Sequence, residues 1–297
     1  MHKVYVIIVT YNAEKWIYNC ISSIKEGHID LHIIVIDNGS TDLTLELTKK
    51  HFPRVEIIET GKNLGFGAAN NLGYEIAKKN QADYIYLLNQ DTVSYPDTIY
   101  NLIKVSERDS SVGVVSPIHL NDDGSKMDQK FEEYITAGSC PSFISDMTLG
   151  KSKDYYKIGF VNAAAWLLKV ETVDKLGGLF SSAFFHYGED SNFLSRIHYF
   201  KKQCVIVPNI YVHHLREERK GAMSKAFESR KLSIKKTEIM LNICLPYKKA
   251  TSQIFRYAGQ QMFKGNVKGA LELFFYPVFK WQEINKIRNS YLSEKII

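Results

Sequence analysis

The chain has 297 residues, enough for one large α/β domain or a domain with an appendage, and its 45% hydrophobic and 24% charged content is that of a folded protein, not a disordered one. Charge is uneven: residues 1–214 carry 21 Lys+Arg against 25 Asp+Glu and residues 215–297 carry 17 against 7, so −4 and +10 make up the net +6. Cys20, Cys140, Cys204 and Cys244 form no CxxC pair, which points to neither a zinc site nor a disulfide framework, and no uncharged apolar run approaches the roughly 20 residues of a spanning helix.

The opening MHKVYVIIVTYN has too short an apolar run for a secretory signal and reads as a buried first strand over 4–10. A helix follows over 14–25, then strand HIIVID (32–37), a helix over 43–51, strand VEIIET (55–60), a helix over 66–79, strand YIYLLN (84–89) and a helix over 97–108. Short apolar runs alternating with helices are the pattern of βαβ units around a parallel sheet buried on both faces, so the prediction is an α/β sandwich. After VGVVSP (112–117) the rhythm breaks, and the polar stretch 119–158, with its NDDGS and SCPS turn signals, predicts loop and short strand.

FVNAAAWLLK (160–169) restores order, a helix over 171–176 stops at Gly177 and Gly178, and another runs from about Asp190 to Phe200. CVIVP (204–208) and IYVHH (210–214) read as the last strands of the body. From Lys225 the pattern is helical, interrupted at Pro246 and Pro277. The chain thus divides into a body, 1–214, and a basic, mainly helical extension, 215–297. LNICLPYKK and GALELFFYPVFKWQEINKIR in the extension set aromatic and apolar residues among Lys and Arg, as interfacial helices do. An anionic membrane surface is the expected partner and nucleic acid is not, with a merely solvated helical face as the plain alternative.

Ligands of open parallel sheets bind where strands end, so the strand-ending polar residues are the candidates: Thr10-Tyr11-Asn12, Asp37 to Asp42, and Asn89-Gln90-Asp91-Thr92. Asp37 stands where nucleotide folds place an acid for ribose or base, whereas Ser40, Thr41 and Asp42 also read as caps of the next helix. NLGFGAANNLG (63–73) opens a helix and could bring backbone amides to a diphosphate. Gly65, Gly67 and Gly73 do not make GxGxxG, however, and a tight turn with close helix packing suits them as well. Asp91, after a buried strand, calls for solvent, a partner or a metal such as Mg²⁺ or Mn²⁺. His214 would add a nitrogen and favour Mn²⁺, against a plain structural role. The pair Glu189-Asp190 in FFHYGEDSNF could simply cap the helix beginning there.

Together VTYN (9–12), VIDNGSTD (35–42), NLGFGAANNLG, LLNQDT (87–92) and GLFSSAFFHYGEDSNFLSR (178–196), in this order, resemble the family-two inverting glycosyltransferases of GT-A fold, in particular rhamnosyltransferase-like bacterial members. The resemblance spans about residues 3–214. It implies that Thr10, Tyr11 and Asn12 hold the nucleoside with Asp37, and that Asn63, Gly65 and Asn70, with Asn89 and Gln90, line the nucleotide-sugar pocket. Asp91 corresponds to the last acid of a DxD-type motif that binds Mn²⁺ or Mg²⁺ on the donor diphosphate; Asn89 replaces the first acid. His214 matches a downstream metal ligand, with His213 the alternative because a slip of one residue reverses the facing side chain. Glu189-Asp190 match the catalytic acid pair, with Asp190 as general base. Trp166 and Tyr187, with Phe184, Phe185 and His186, are expected to shape the acceptor side, core packing being the alternative for Trp166.

The implied reaction moves a sugar from a nucleotide diphosphate donor, dTDP-rhamnose or a UDP-sugar, to a hydroxyl of a bacterial surface-polysaccharide precursor, free or lipid-linked. The implied location is cytoplasmic, peripheral on the inner face of the cell membrane. Two other classes compete. A nucleotidyltransferase would want a basic Gly-rich loop near the first strand, which VTYNAEKW lacks. A non-catalytic nucleotide-sugar or glycan-binding module would not need all the acids.

Overall fold

Strands with no polar face to offer water must be covered on both sides, and the first half of the chain is built that way. β1 (Lys3–Thr10), β2 (Asp30–Asp37), β3 (Glu56–Glu59) and β4 (Tyr84–Asn89) alternate with α1 (Ile17–Ser23), α2 (Thr44–His51) and α3 (Phe66–Lys79) in the computed structural model, which describes residues 1–215 and 225–292. Tyr5 and Ile7 of β1 enter one core, while Val4, Val6 and Ile8 enter the other; Ile85 and Leu87 of β4 separate from Tyr84, Tyr86 and Leu88 in the same way. The alternation has period two, but both faces are apolar. α3 covers one face, and α1 with α4 (Thr98–Arg108) covers the other.

The sheet grows through β5 (Thr92–Ser94), β6 (Val112–Leu120), β7 (Tyr156–Lys157), β8 (Ala165–Lys169) and β9 (Gln203–His214), in the order β3-β2-β1-β4-β8-β6-β9-β5, with β7 also on β9. β1 pairs in parallel with both β2 and β4, so the direction of sheet growth reverses between β1 and β4 and leaves a crevice at their carboxyl ends. β8 runs antiparallel between β4 and β6, and Ala164 accepts a bond from the Asn89 N–H at 2.9 Å.

Four expectations change. The polar stretch 119–158 contains two short helices, α5 (Gln129–Tyr134) and α6 (Phe143–Thr148), as well as β7. The two last strands are one, β9, whose register on β6 jumps from Pro117↔Val207 to Ile118↔Tyr211; the bulge at 208–210 re-aims residues 211–214. Trp166 is fully buried, packed 5.9 Å from Phe193 and 6.4 Å from Phe180 between ring centroids, so it belongs to the core and not to an acceptor wall. Pro277 lies inside a helix without breaking it.

α7 (Val170–Lys175) leads to the loop before α8 (Glu189–Tyr199). The C-terminal extension forms α9 (Lys225–Leu241), α10 (Tyr247–Phe263), α11 (Val267–Phe279) and α12 (Trp281–Ser290); positions 216–224 and 293–297 of it lie outside the described residues. These helices share a third apolar cluster, Leu232, Met240, Ile254, Leu273 and Ile284 among its members, and Phe184 of the loop before α8 belongs to it. No described helix is long and apolar enough to cross a membrane.

Candidate active site

The site grows from the ends of β1, β2 and β4. Tyr11 N–H donates to Gln90 Oε1 at 2.7 Å and Gln90 Nε2 returns a bond to the Tyr11 carbonyl at 3.3 Å, so Gln90 stitches the β1 and β4 ends across the crevice. Asp37 is buried: Oδ1 accepts Thr10 Oγ1–H at 3.0 Å, while Oδ2 accepts the N–H groups of Gly39 (3.2 Å) and Ser40 (3.0 Å). Thr10 and Asp37 therefore shape the loop on which a nucleoside would lie. Asn12, at φ 52°, accepts Thr41 N–H at 2.9 Å, and Tyr11 stays exposed beside it. Asp42 accepts the N–H groups of Glu14 and Thr44, both at 3.0 Å, and so ties the turn before α2 to the β1 loop, whereas the residue at the α2 cap is Leu43 and no side chain caps that helix.

The glycine-rich segment is tied to this edge by a residue that carries no motif signal of its own. Asn38, buried next to Asp37, donates to Asn63 Oδ1 at 3.1 Å and accepts Leu64 N–H at 2.8 Å, while Asn63 Oδ1 also accepts Gly65 N–H at 2.9 Å. Only its place in VIDNGSTD could have pointed to it. Gly65 takes φ 84°, and a Cβ there would stand 1.9 Å from the Phe185 carbonyl oxygen, so the 63–67 loop lies directly on the FFHYGED loop. A side chain on Gly73 would strike Ile7 Cγ2 at 2.5 Å, the close helix-on-sheet packing foreseen as an alternative. Asn70 is buried and donates to the Phe66 carbonyl at 3.0 Å within α3. Asn71, equally silent in sequence, exchanges two bonds with the Phe180 backbone, at 2.8 and 2.9 Å.

Asp91 and His214 meet. β5 pairs antiparallel with β9, setting Thr92 opposite His214, and Leu215 N–H donates to the Asp91 carbonyl at 2.7 Å. His214 Nε2 then stands 3.4 Å from Asp91 Oδ1, the imidazole buried and the carboxylate partly open. His213 points to the other side: one ring nitrogen is 2.7 Å from Tyr95 Oη, the other 3.0 Å from the Asn121 carbonyl, and the ring stacks on Tyr95. One carboxylate and one imidazole do not close a protein cage, and no cluster of three or more His, Cys, Asp or Glu suited to a metal occurs among the described residues. The pair fits a divalent cation that takes its remaining ligands from diphosphate oxygens. Asn89 is the last residue paired in the β1–β4 ladder and leaves its amide side chain at the same edge.

Glu189 and Asp190 open α8. The helix is capped by Gly188 at φ 96°, not by either acid, although Asp190 Oδ1 accepts Ser191 N–H at 2.7 Å. Glu189 lies against α3, where a Cβ on Gly67 would be 3.7 Å from Glu189 Cβ; it is buried, and its Oε2 meets no hydrogen-bond donor among the described residues. Burial raises its pKa. Asp190 keeps an opening to solvent but is crowded by protein, and that burial, followed by the charge of Glu189, pushes its carboxyl up to about 7. Of the aromatic run, Phe184 turns inward, whereas Phe185 and Tyr187 are exposed and Arg230 of α9 stands 5.5 Å over the Tyr187 ring.

Arg196 holds the approach to this loop and was not singled out from the sequence. Fully buried, it donates Nη1–H to the carbonyls of Leu176 (2.9 Å) and Gly178 (2.6 Å) and Nη2–H to that of Leu179, sandwiched 4.9 Å from the Phe193 ring and 4.7 Å from the Tyr291 ring. Burial lowers its pKa to about 10.

The switch-point crevice at the ends of β1 and β4, in a mixed sheet covered by helices, belongs to the α/β architecture of GT-A glycosyltransferases. Residues 5–177 match the family described as "Glycosyl transferase family 2", and the chain belongs to that family. Over 244 residues it is 24% identical to N-acetylglucosaminyl-diphospho-decaprenol L-rhamnosyltransferase of Mycobacterium tuberculosis, covering 73% of this chain and 77% of that one. It is 32% identical over 122 residues to a chondroitin synthase of Escherichia coli, covering 40% of this chain. The teichoic acid poly(glycerol phosphate) polymerase of Staphylococcus epidermidis is 32% identical over 126 residues, again 40% of this chain. The chain spans only 17% and 16% of those two proteins. Among solved structures, S. aureus TarS 1-349 matches with TM-score 0.59 at 14% identity over 99% of this chain and 91% of that one. GalNAc-T7 with UDP, GalNAc and Mn²⁺ matches with TM-score 0.59 at 15% identity, over 80% of this chain and 50% of that one. At such identities the likeness is one of fold.

Proposed function

We propose that this glycosyltransferase moves one sugar, with inversion, from a nucleoside diphosphate donor to a hydroxyl of a bacterial surface-polysaccharide precursor, free or lipid-linked. A dTDP-rhamnose or UDP-sugar donor fits best, since a relative aligned over 73% of the chain is named a rhamnosyltransferase and a fold neighbour holds UDP. The observation that carries the reading is Asp190. Its carboxyl, raised to about 7, stands on a loop that packs against the 63–67 segment joined to the nucleotide edge.

Residues 1–214 would carry the transfer, and 215–297 would hold the enzyme where its acceptor lies, on the inner face of the membrane. Asp91 and His214 would hold Mn²⁺ or Mg²⁺, whose chemistry when bound is to neutralise the departing diphosphate as a Lewis acid. Tyr11, Asn12 and Gln90 would bind the nucleoside on the loop that Thr10 and Asp37 hold rigid. Asp190 would take the proton of the acceptor hydroxyl as that oxygen attacks the anomeric carbon in line, through an oxocarbenium-like transition state. Glu189, with an oxygen that meets no donor among the described residues, would accept a sugar hydroxyl. The exposed Tyr187 and Phe185 would flank the acceptor.

A panel of UDP, dTDP and GDP sugars with Mn²⁺ or Mg²⁺, scored by thermal shift and donor turnover, tests the class; a flat response across the panel would count against it. Asp190→Asn tests the mechanism. Turnover is expected to fall by roughly 10² to 10⁴ while donor-induced thermal shift survives, and unchanged turnover would remove Asp190 as base.

A further inference from the structure

α11 has two faces, and among the described residues only one of them is buried in the core of the protein. Gly269, Ala270, Leu273 and Pro277 point into the third core cluster, while Val267, Leu271, Phe274, Phe275, Val278 and Phe279 are exposed, Val278 at 66% and Phe279 at 79%. At 3.6 residues per turn those six share one continuous arc, opposite the buried residues. Their rings continue one another: Phe255 of α10 stacks on Phe274 at 4.9 Å, Phe274 meets Phe275 at 5.5 Å, and Phe275 meets Phe279 at 5.8 Å. Trp281 and Phe263 are exposed at the two ends of the helix.

The charges around this ridge are basic. Exposed Lys264 and Lys268 stand at its start and Lys280 at its end, and the sequence from 246 to 292 holds eight Lys or Arg against Glu272 and Glu283, although Arg288 among them turns inward to the carbonyls of Met240, Asn242 and Leu245. Glu272 is bonded to Lys236 and Glu283 to Lys280. We propose that this face of α11 is the surface by which the enzyme docks on an anionic lipid bilayer, the ridge entering the acyl boundary and the lysines meeting headgroup phosphates.

A 13-residue helix is too short to span a bilayer but long enough to lie in its interface. Aromatic side chains with basic flanks are the composition that an interfacial helix needs. A second copy fits less well, because a two-fold contact would bring the same lysines against one another, whereas anionic lipid neutralises them. The inference rests on the reading that the acceptor is lipid-linked. Phe184, which belongs to the same core cluster as Leu273, joins the docked helices to the loop of Glu189 and Asp190.

The test is co-sedimentation of the full chain with phosphatidylcholine vesicles, with and without phosphatidylglycerol, at low salt. Binding is expected only to the phosphatidylglycerol vesicles, and to fall roughly fivefold for each of Lys264→Gln and Lys268→Gln. The double variant Val278→Ser/Phe279→Ser is expected to lose at least about tenfold of the binding. Both substituted side chains are mostly exposed, so its melting temperature and its turnover of donor with a water-soluble acceptor should match wild type. Undiminished vesicle binding in the double variant overturns the proposal. So does a concentration-dependent dimer that the same substitutions abolish, since the face would then belong to a second copy. Because vesicle binding is read without catalysis, its loss and a failure to turn over sugar are separate results.

Discussion

The carboxyl of Asp190 shows how a group proposed as a base can cost stability. A pKa near 7 suits a base that must be free of its proton at neutral pH yet able to hold one in the transition state. It follows that kcat/KM should rise with pH through about 7. The same shift has a linked effect on folding. An unfolded aspartate titrates at about 3.9, so between about 4 and about 7 the native state keeps a proton that the unfolded state has released, and stability falls as pH rises through that window. Asp190→Asn lacks this dependence. Its melting temperature should exceed that of wild type above pH of about 7 and match it near pH of about 4; equal melting temperatures across the range would show that the carboxyl is not raised. At this scale the sequence named residues that the structure brings together but not the bonds they make. The resemblance picked out Asp91, His214, Glu189 and Asp190, but Asp37 and Asn63 make bonds within and between loops, and Asn70 one within α3, that no motif describes, and only a register distinguishes His214 from His213.

At the scale of elements, the reach of sequence depended on whether the physics was local. β4 and α3 occur over the residues predicted for them because an apolar run or period bounded by turn residues defines itself. The antiparallel insertion of β8 and the bulge fusing β9 were not legible, since strand direction and pairing register are properties of partners distant in sequence. Pro277 misled for a related reason: near the end of a helix its missing N–H removes one bond, and the packing of α11 outweighs it. Arg196 is the sharpest instance, because its partners are three backbone carbonyls and carbonyls carry no sequence signature. The planar guanidinium reaches the three carbonyls from two separate nitrogens while its flat face lies between two rings, an arrangement that the compact ammonium of a lysine does not reproduce. Arg196→Lys should therefore cost about 2–3 kcal/mol in denaturant unfolding and lower kcat more than it raises the donor KM, as the loop before Asp190 loosens. A variant with wild-type stability would mean that the clamp is dispensable.

For the whole molecule, the family match ends at residue 177, yet the site's supports come from far beyond it. Tyr291 lies on Arg196, Asn192 Nδ2 donates to the Leu241 carbonyl at 3.4 Å, and Phe184 is buried among α9 to α12. The basic extension is thus a wall of the loop that leads to Glu189 and Asp190 as well as an appendage, which its charge asymmetry alone did not reveal. A chain stopped after 214 should express mainly as aggregate, with no cooperative melt near the wild-type temperature, because Phe184 and the ring face of Arg196 would be bared. Solubility and calorimetry of the truncated chain decide the point, and a wild-type melt would make the extension separable.

The meeting of Asp91 with His214 also sets an order of events during synthesis. Strands β1 to β4 and their nucleotide loops leave the ribosome early, but the imidazole arrives with the last strand of the sheet, after β6 has formed the edge on which β9 pairs. A nascent chain can therefore carry the joined ends of β1, β2 and β4 while lacking half of the acid–imidazole pair, which is complete only once translation has passed the end of the sheet.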